Sequence, residues 1–375
     1  MKRSAFVLIC LAPNVACAQG SAAPQTFESR HYRIRAVTLT DDLDHPWGLA
    51  FLPDGRMLVT ERAGRLRIVT PTGTLSDPIA GVPEVAADGQ GGLLDVAVAP
   101  DFAQSRLIYL SFSEPGDGGA GTSVARARLS QTENRLENLQ VIFRQQPKVP
   151  GGAHFGSRLV FARDGTLFIT TGDRQHRSFV QDLSKLQGKV IRIRPDGTIP
   201  PDNPFVHRAG ARPEIWSYGH RNIQGAALHP QTGQLWTVEH GARGGDELNA
   251  PKAGRNYGWP VITYGVDYSG ARIGEGQRKE GMEQPVHYWD PSIAPSGLMF
   301  YTGDKFSEWR GSAIVGALGF QLLARLELDG ERVRSEERLL EGYGQRIRAV
   351  VQGPDGLIYL LTDSDGRVVR LEPIS

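Results

Sequence analysis

The stretch LVFARDGTLFITTGD, residues 159–173, decides the fold class. Two apolar runs flank an Asp-Gly pair, and this pair strongly favours a tight turn between antiparallel strands. The stretch therefore predicts a β-hairpin. A single hairpin leaves its apolar face in water, so it must pack against further strands.

Five more segments share this order of apolar run, turn and second apolar run. They are LAFLPDGRMLVTE (49–61), VAVAPDFAQSRLIYLSF (96–112), AALHPQTGQLWTVEHG (226–241), LMFYTGDKFSEWRGSAIVGAL (298–318) and VVQGPDGLIYLLTDSDG (350–366). A β-sandwich with chance hairpin resemblance is the alternative, which six copies along the whole chain disfavour. Hairpins extended to four strands and packed around one axis bury each other's apolar faces. We therefore predict an all-β fold, a six-bladed β-propeller.

The segments around the repeats have their own character. Residues 1–18 carry Lys2 and Arg3, then a short apolar run and a small-x-small ending, which is the pattern of a secretory signal peptide. The run is too short to span a bilayer, so no membrane insertion is expected. Residues 19–31 are expected to form a flexible lead-in, and residues 32–375 a single propeller domain.

Two parts of that domain have predicted positions. Residues 32–39 alternate between apolar and polar side chains and are expected to close the ring by pairing with the last blade. Residues 263–285, rich in glycine and charge, are expected to form an extended loop. Long loops on a rigid scaffold often carry function, so this loop is a candidate part of the site.

The cysteine count indicates the compartment of the protein, and the charge count excludes some classes of partner. Both cysteines, Cys10 and Cys17, lie in the predicted signal peptide, so the mature domain would have no disulfide. A large exported domain without disulfides indicates a bacterial periplasm. The 42 basic and 41 acidic residues nearly balance, which argues against nucleic acid or an anionic membrane as a partner.

Common catalytic signatures are absent from the sequence, including CxxC, HExxH, GxSxG and the Walker loop. The candidates are polar residues in glycine-rich turns. His154, in PGGAHFG, can accept a proton from an alcohol near neutral pH, although a single loop histidine is more often structural. Gln90, in DGQGG, is by itself typical of a plain turn. Arg221 and Asn222, in YGHRNIQG, suit either a ligand oxygen or a surface ion pair.

Two further segments suggest ligand binding. In EHGARGGDELN, residues 239–249, glycines turn backbone carbonyls in unusual directions and Glu247 adds a carboxylate, and such oxygens suit calcium. The region of Tyr257, in GRNYGWP, suits calcium too, and an ordered interblade loop is the alternative. The two-residue spacing of Arg346 and Arg348 places both side chains on one face of a strand. Adjacent guanidiniums repel unless carboxylates flank them or an anion lies between them, which favours an anionic ligand.

Seven segments in chain order carry a family resemblance. They are GQGGLLDVAVAPDF, HFGSRLVF, LQGKVIRI, IWSYGHRNIQG, EHGARGGDELN, NYGWP and GQRIRAVVQGPDG. From about residue 40 to its C-terminus the chain resembles the soluble PQQ-dependent aldose sugar dehydrogenases, which are related to soluble quinoprotein glucose dehydrogenase. That family has a six-bladed propeller fold. The resemblance implies a periplasmic enzyme that oxidises the C1 hydroxyl of aldoses to lactones with pyrroloquinoline quinone (PQQ) and calcium, and passes electrons to an acceptor of unknown identity.

The resemblance also implies a role for each matched residue. His154 would take the proton of the C1 hydroxyl, while hydride passes to PQQ and calcium polarises the accepting carbonyl. The residues that would hold PQQ, a tricarboxylate, are Gln90, Arg221, Asn222, Ser292, Arg346 and Arg348. The calcium ligands would be the backbone oxygens of Gly241 and Ala242 and, for further calcium, Glu247 and the carbonyl of Tyr257.

Three positions depart from the family pattern. Ala242 stands where the family usually has proline, which leaves a carbonyl ligand on a less rigid loop. Ala153 stands where soluble glucose dehydrogenases have an aspartate, so His154 is expected to lack that neighbour. Gly319 stands where the family usually has a lysine that contacts PQQ, so weaker cofactor binding is expected, and Gly319→Lys is expected to restore part of it.

Two other functions suit a six-bladed propeller. One is a calcium-dependent lactonase or other hydrolase, and the other is a binding module without catalysis. A dehydrogenase reduces an artificial dye with sugar only after PQQ and Ca²⁺ are added. A lactonase needs no quinone, and a binding module turns nothing over, so one assay separates all three.

We expect the mature protein to begin near Gln19, because Ala16 and Ala18 place small residues at the two positions that signal peptidase reads. Intact-mass measurement of protein recovered from the periplasm checks this. A variant with leucine at both alanines is the control and should keep the segment. Retention of residues 1–18 in the wild type, or a lipid on Cys17, would contradict the prediction.

Overall fold

The computed structural model describes residues 24–374, and these residues are almost entirely β-strands. They form six antiparallel sheets. The innermost strands of successive sheets lie beside one another in a closed ring. The predicted six-bladed β-propeller is therefore confirmed. The predicted signal peptide, residues 1–18, lies outside the described residues.

The strands in chain order are β1 Gln25–Glu28, β2 Arg33–Thr40, β3 Pro46–Phe51, β4 Met57–Glu61, β5 Arg65–Val69, β6 Leu93–Val98, β7 Leu107–Gly116, β8 Gly119–Leu129, β9 Leu136–Arg144, β10 Gly156–Phe161, β11 Leu167–Thr171, β12 Lys189–Ile193, β13 Ile215–Tyr218, β14 Ile223–Leu228, β15 Leu235–Glu239, β16 Asp246–Asn249, β17 His287–Trp289, β18 Pro295–Phe300, β19 Ala313–Ala317, β20 Leu323–Asp329, β21 Arg332–Leu339, β22 Ile347–Gln352, β23 Ile358–Thr362 and β24 Val368–Ile374. The described helices are single turns, at α1 Phe102–Ser105, α2 Arg177–Val180 and a 3₁₀ turn at Ser307–Trp309.

Each predicted hairpin forms the two inner strands of one blade. Blades two to five have four strands each: β6–β9, β10–β13, β14–β17 and β18–β21. Blade one has only β3–β5, and the chain beyond β5 continues as an irregular fourth strand. There Ser76 donates its N–H to Ile68 and Ile79 to Leu66, both at 2.8 Å. Blade six consists of β22–β24 with β2 and β1 added from the N-terminus.

The N-terminal strands close the ring. β2 pairs with β24 from Arg33 opposite Ile374 to Thr40 opposite Val368, as predicted for residues 32–39. The expected flexible lead-in over residues 19–31 is wrong in part, because Gln25–Glu28 forms β1 and pairs with β2. The reason is Phe27, whose ring packs edge-on against Tyr343 at 5.8 Å. Partial burial of this aromatic side chain stabilises a strand of only four residues.

The apolar core lies between neighbouring blades. At the junction of blades six and one, for example, Met57 and Val59 pack with Leu361 and Val368, all fully buried. Such junctions fix each blade against the next, so the ring behaves as one scaffold. Residues 263–285 form part of a long loop between β16 and β17 of blade four, as expected. Within residues 24–374 no helix is long and apolar enough to cross a membrane.

A buried ion pair fills the propeller axis. Arg158 on β10 contacts the Asp95 carboxylate on β6 at 3.1 Å. Its Nε donates to the Gln224 carbonyl at 2.6 Å and its Nη2 to the Arg348 carbonyl at 3.2 Å. The guanidinium also lies 4.1 Å from the centre of the Trp47 ring. One side chain therefore joins five of the six inner strands.

We expect Ile34→Ala to lower the free energy of unfolding by about 2–5 kcal/mol, because Ile34 is fully buried between β24 and blade five. Urea denaturation followed by circular dichroism measures this. Arg35→Ala is the matched control on the exposed face of the same strand, where its pair with Glu372 contributes about 1 kcal/mol or less. Equal loss in both variants would mean that burial of β2 does not stabilise the closed ring.

Candidate functional site

A cavity of about 170 Å³ lies at the end of the axis where the inner strands begin. All six blades contribute to its wall. The lining residues are Trp47, Arg62, Gln90, Leu94, Phe155, Gly156, Gln224, His240, Ala294, Leu318, Arg346, Arg348 and Asp363. A larger groove of about 490 Å³ lies elsewhere, between blades four and five, and contains none of the predicted site residues. The axial cavity is therefore the candidate functional site.

His154 lies beside this cavity, in the loop that leads into β10. The residue is 8% exposed, and its φ of 58° is in the left-handed region. Its N–H donates to Oε1 of Gln90 at 2.8 Å, so the predicted base and the predicted cofactor residue are in contact. Its Nδ1 lies 2.7 Å from Oδ1 of Asp173. When Nδ1 donates this bond, Nε2 is left as a free proton acceptor.

Asp173 corrects one expectation from the sequence. His154 does not lack a carboxylate neighbour, because Asp173 at the end of β11 supplies one in place of an aspartate at Ala153. Asp173 also accepts a bond from Trp259 Nε1 at 2.8 Å and from the Gln175 N–H at 2.8 Å. Burial raises the pKa of Asp173, but the bond and charge of His154 outweigh it, and the pKa lies below its ordinary value. The carboxylate is thus ionised and fixed in orientation.

Arg174 holds the His154 loop from behind. It donates to the carbonyl oxygens of Val149, Gly151 and Ala153. Its guanidinium lies 3.6 Å from the centre of the Phe155 ring, and burial lowers the pKa of Arg174 to about 10. Three of these residues were not predicted from the sequence: Asp173, Arg174 and Trp259. The only sequence signal for Asp173 and Arg174 is the Asp-Arg pair in TTGDRQ, directly after a predicted hairpin strand.

Arg346 and Arg348 share one carboxylate, Asp363. Arg346 Nε lies 3.4 Å from one of its oxygens and Arg348 Nη2 lies 3.3 Å from the other. Arg348 also donates to Oε1 of Gln224 at 3.0 Å, and burial lowers the pKa of Arg348 to about 10. The sequence left a flanking carboxylate and a bound anion as alternatives. A flanking carboxylate is present, but it carries one charge against two, and Arg62 adds a third cation to the same wall.

Arg221 and Asn222 lie deeper, on the approach to β14. Arg221 Nη1 donates to the His240 carbonyl at 3.2 Å, while its buried Nε has no partner within the described part of the chain. Asn222 is almost fully buried, and its Oδ1 accepts bonds at 3.2 Å from the Gly156 N–H and from Gln224 Nε2. Arg221 thus retains an unused donor, whereas the Asn222 oxygen is occupied by the protein.

One carboxylate, Asp246, brings together the loop of Gly241 and Ala242 and the segment of Ser292. It accepts the Gly241 N–H at 2.8 Å and the Ser292 hydroxyl at 2.6 Å. The Ser292 hydroxyl is directed at Asp246, and Ala294 rather than Ser292 lines the cavity. Asp246 accepts the Ala294 N–H as well, at 2.9 Å. This residue therefore fixes the position of the predicted calcium loop.

Glu247 and Tyr257 belong to a second cluster in blade four. Glu247 pairs with Glu239 across β15 and β16, and Asn249 Nδ2 donates to both carboxylates at 2.9–3.0 Å. The Tyr257 ring stacks at 4.8 Å on His220, which in turn bonds to Glu239 at 2.8 Å. Burial and the charge of Glu239 raise the pKa of Glu247 to about 8.

This cluster is short of positive charge. Two acidic side chains face each other, and over residues 24–374 no group of three or more His, Cys, Asp or Glu side chains is arranged for a metal. A cation here would therefore need backbone oxygens, such as the Tyr257 carbonyl, beside the carboxylates.

The turn at Gly319 is built around a glycine. A Cβ at this position would lie 2.9 Å from the carbonyl oxygen of Ile293, a backbone atom that cannot move freely. The Gly319 N–H donates to that oxygen at 2.9 Å, and Phe320 and Gln321 follow with φ of 54° and 55°. The backbone thus disfavours Gly319→Lys, and we do not expect this exchange to restore cofactor binding.

Comparison with known proteins gives a family for this site. The glucose/sorbosone dehydrogenase family pattern matches residues 43–370. The chain belongs to this family. Aldose sugar dehydrogenase YliI of Escherichia coli (strain K12) is 49% identical over 380 residues, which covers 100% of both chains.

Two solved structures give the same fold. The crystal structure of the apo form of the soluble aldose sugar dehydrogenase from Escherichia coli aligns with a TM-score of 0.89 and 50% identity over 91% of this chain and 100% of that chain. The PQQ-bound aldose sugar dehydrogenase from Streptomyces coelicolor aligns with a TM-score of 0.75 and 31% identity over 90% of this chain and 97% of that chain. Both solved structures are thus similar to this chain across nearly their whole length.

The Glu239–Glu247 pair predicts a pH dependence of the cation-free protein. The pKa of Glu247 rises from 4.5 to about 8 on folding, so the contribution of this residue to the free energy of unfolding should fall as the pH rises from 4.5 to 8. Glu247→Gln keeps the bond from Asn249 and removes the charge. In EGTA, the variant should be more stable than wild type at pH 8 and equal near pH 4.5, measured by urea denaturation.

Calcium should raise the free energy of unfolding of the wild type at pH 8, and it should raise that of the Glu247→Gln variant by less. Glu341→Gln, at an exposed position in the loop between blades five and six, is the control for removal of one negative charge. If the free energies of unfolding of wild type and Glu247→Gln changed in parallel from pH 4.5 to pH 8, the predicted pH dependence could not be assigned to the Glu239–Glu247 pair.

Proposed function

We propose that this protein oxidises the C1 hydroxyl of aldose sugars to lactones as a PQQ- and calcium-dependent dehydrogenase. The observation that carries the proposal is the His154–Asp173 pair beside an arginine-rich cavity on the propeller axis. The names of the similar proteins support the same chemistry, since one is an aldose sugar dehydrogenase and another is such an enzyme in its PQQ-bound form.

The cavity fits an anionic cofactor. PQQ carries three carboxylates, and guanidiniums bind carboxylates through paired, charge-assisted hydrogen bonds. Arg346 and Arg348 share a single carboxylate, and Arg221 has a buried Nε without a partner among the described residues. These three arginines, with Gln90 and Asn222, would hold PQQ. When bound, PQQ supplies the acceptor for the hydride that leaves the sugar C1.

Calcium fits two places in blade four. The backbone oxygens of Gly241 and Ala242 would hold one ion near the cofactor, on a loop that Asp246 fixes. The carboxylate of Glu247 and the carbonyl of Tyr257 would hold another, where the repulsion between Glu239 and Glu247 would be relieved by a cation. Calcium at the first place supplies Lewis acidity. The ordering role of Ser292 in this scheme is indirect, through Asp246.

His154 is the base of the proposed reaction. With Nδ1 bonded to Asp173, its Nε2 takes the proton of the sugar hydroxyl. Asp173 stabilises the imidazolium that results without itself accepting the proton. Gln90 and Arg174 fix the loop on which the imidazole is carried, and Trp259 orients the far oxygen of Asp173.

The proposed compartment is the bacterial periplasm. Its support is the signal-peptide pattern of residues 1–18 together with the absence of cysteine from the rest of the sequence. The electron acceptor stays unassigned.

Reconstitution tests the function. The purified protein should reduce an artificial dye with an aldose only after PQQ and Ca²⁺ are added. His154→Ala should lower kcat by about 10²–10⁴-fold, since it removes the base. Asp173→Asn should lower kcat by about 10–100-fold with KM little changed, because it only orients the base. His207→Ala, at an exposed histidine, is the control and should keep full activity.

Three results would contradict the proposal. Turnover of lactones without PQQ would assign a hydrolase. Full activity of His154→Ala would place the base elsewhere. Absence of any turnover across a panel of aldoses, despite bound PQQ, would leave a binding module.

A further inference from the structure

A further arginine, Arg62, belongs to the wall of the axial cavity. It follows β4 in blade one and lines the cavity together with Gln90 and Asp363. Its Nη1 donates to the carbonyl of Gly89 at 2.8 Å. Its Nε is buried and makes no hydrogen bond within residues 24–374. A buried guanidinium donor without a partner is costly, and an acceptor on a ligand in the cavity would satisfy it.

The neighbouring arginines of blade one show what a purely structural guanidinium looks like. Arg65 contacts Glu61 at 2.7 Å and Asp44 at 2.8 Å, so two carboxylates balance its charge. Arg67 contacts Glu61 at 3.5 Å. Arg62 has no carboxylate of its own among the described residues and instead faces the cavity.

The charges around the cavity do not balance. Arg62, Arg346 and Arg348 face one carboxylate, Asp363. Burial raises the pKa of Asp363, but the charges of these three arginines outweigh it, so the pKa is lowered and the carboxylate is ionised. Three cations against one anion leave an excess of positive charge, which favours a ligand with at least two negative groups.

We propose that Arg62 binds a carboxylate of PQQ. This inference rests on the function proposed above and adds a residue to it. Arg62 supplies a cation from blade one, on the side of blade six away from Gly319, where the tight backbone disfavours a side chain. The quinone is therefore held between guanidiniums of blades one and six.

Equilibrium dialysis of PQQ against the apoprotein, at fixed Ca²⁺ and low salt, tests the proposal without an activity readout. Arg62→Gln should raise Kd by about 10–100-fold, the size expected for one charge-assisted bond. Arg62→Lys keeps the charge and should raise Kd by less than about 10-fold. Arg33→Gln, on a 61% exposed side chain of β2, is the control and should not change Kd.

Salt dependence separates ligand binding from support of the Gly89 turn. A direct carboxylate contact makes Kd rise more steeply with salt in wild type and Arg62→Lys than in Arg62→Gln. A supporting role predicts equal salt slopes and equal loss in both variants, and that result would overturn the proposal. Binding by Arg62→Gln within twofold of wild type would also overturn it.

The outcomes distinguish failure of the Arg62 proposal from failure of the proposed function. If wild type does not bind PQQ, the proposed function fails. If wild type binds and only the Arg62 prediction fails, the function stands with its other cations. Circular dichroism of each variant checks folding, and Arg62→Lys carries the test if Arg62→Gln does not fold.

Discussion

The buried guanidinium of Arg158 is the interaction on which the rest of the structure depends. A charge in the interior is unfavourable unless it is paired and hydrogen-bonded, and Arg158 meets both conditions through Asp95 and two backbone carbonyls. Its partners lie on separate blades, so satisfaction of one charge requires that the inner strands be placed correctly relative to one another. Loss of either ion-pair partner would leave an unpaired charge on the axis.

This constraint extends directly into the site. Gln224 and Arg348 accept bonds from Arg158 through their backbone, and their side chains bond to each other in the wall of the cavity. The floor and the wall of the site are thus one hydrogen-bonded unit. Carboxylates then divide the remaining tasks. Asp173 orients His154, while Asp363 balances the arginines in part.

The strands were predictable because their information is local. In LVFARDGTLFITTGD the turn and both apolar faces lie within 15 residues of sequence, and the hairpin of β10 and β11 follows from them. β1 was not predicted because only four residues pair, and their stability comes from contact of Phe27 with Tyr343, far along the chain. The short first blade was missed for a similar reason, since Pro78 interrupts the alternation that a fourth strand needs.

The site residues likewise fall into those with a local sequence signal and those without one. Glycine-rich turns and period-two spacing mark His154, Gln90 and the arginine pair in the sequence, and the family resemblance gave them their predicted roles. Asp173 and Trp259, which complete the setting of His154, are 86 residues apart, and only the ring geometry brings them together. Arg62 was hidden among other arginines of TERAGRLRI, and its unpartnered Nε and its place in the cavity wall distinguish it only in three dimensions. At Gly319 the sequence shows a departure from the family pattern. The contact that favours glycine there, with the carbonyl oxygen of Ile293, is likewise nonlocal.

The pairing of β2 with β24 has a consequence for the order of folding. The closing strand is made near the start of synthesis, but its partner is the last strand of the chain. Until residues 368–374 emerge, one edge of β2 has no native partner and the buried face that includes Ile34 is uncovered. Unpaired strand edges with apolar faces associate readily with other chains. The nascent protein therefore depends on a binding factor or on rapid completion to keep its first strands from aggregating, and ring closure can only be a late step.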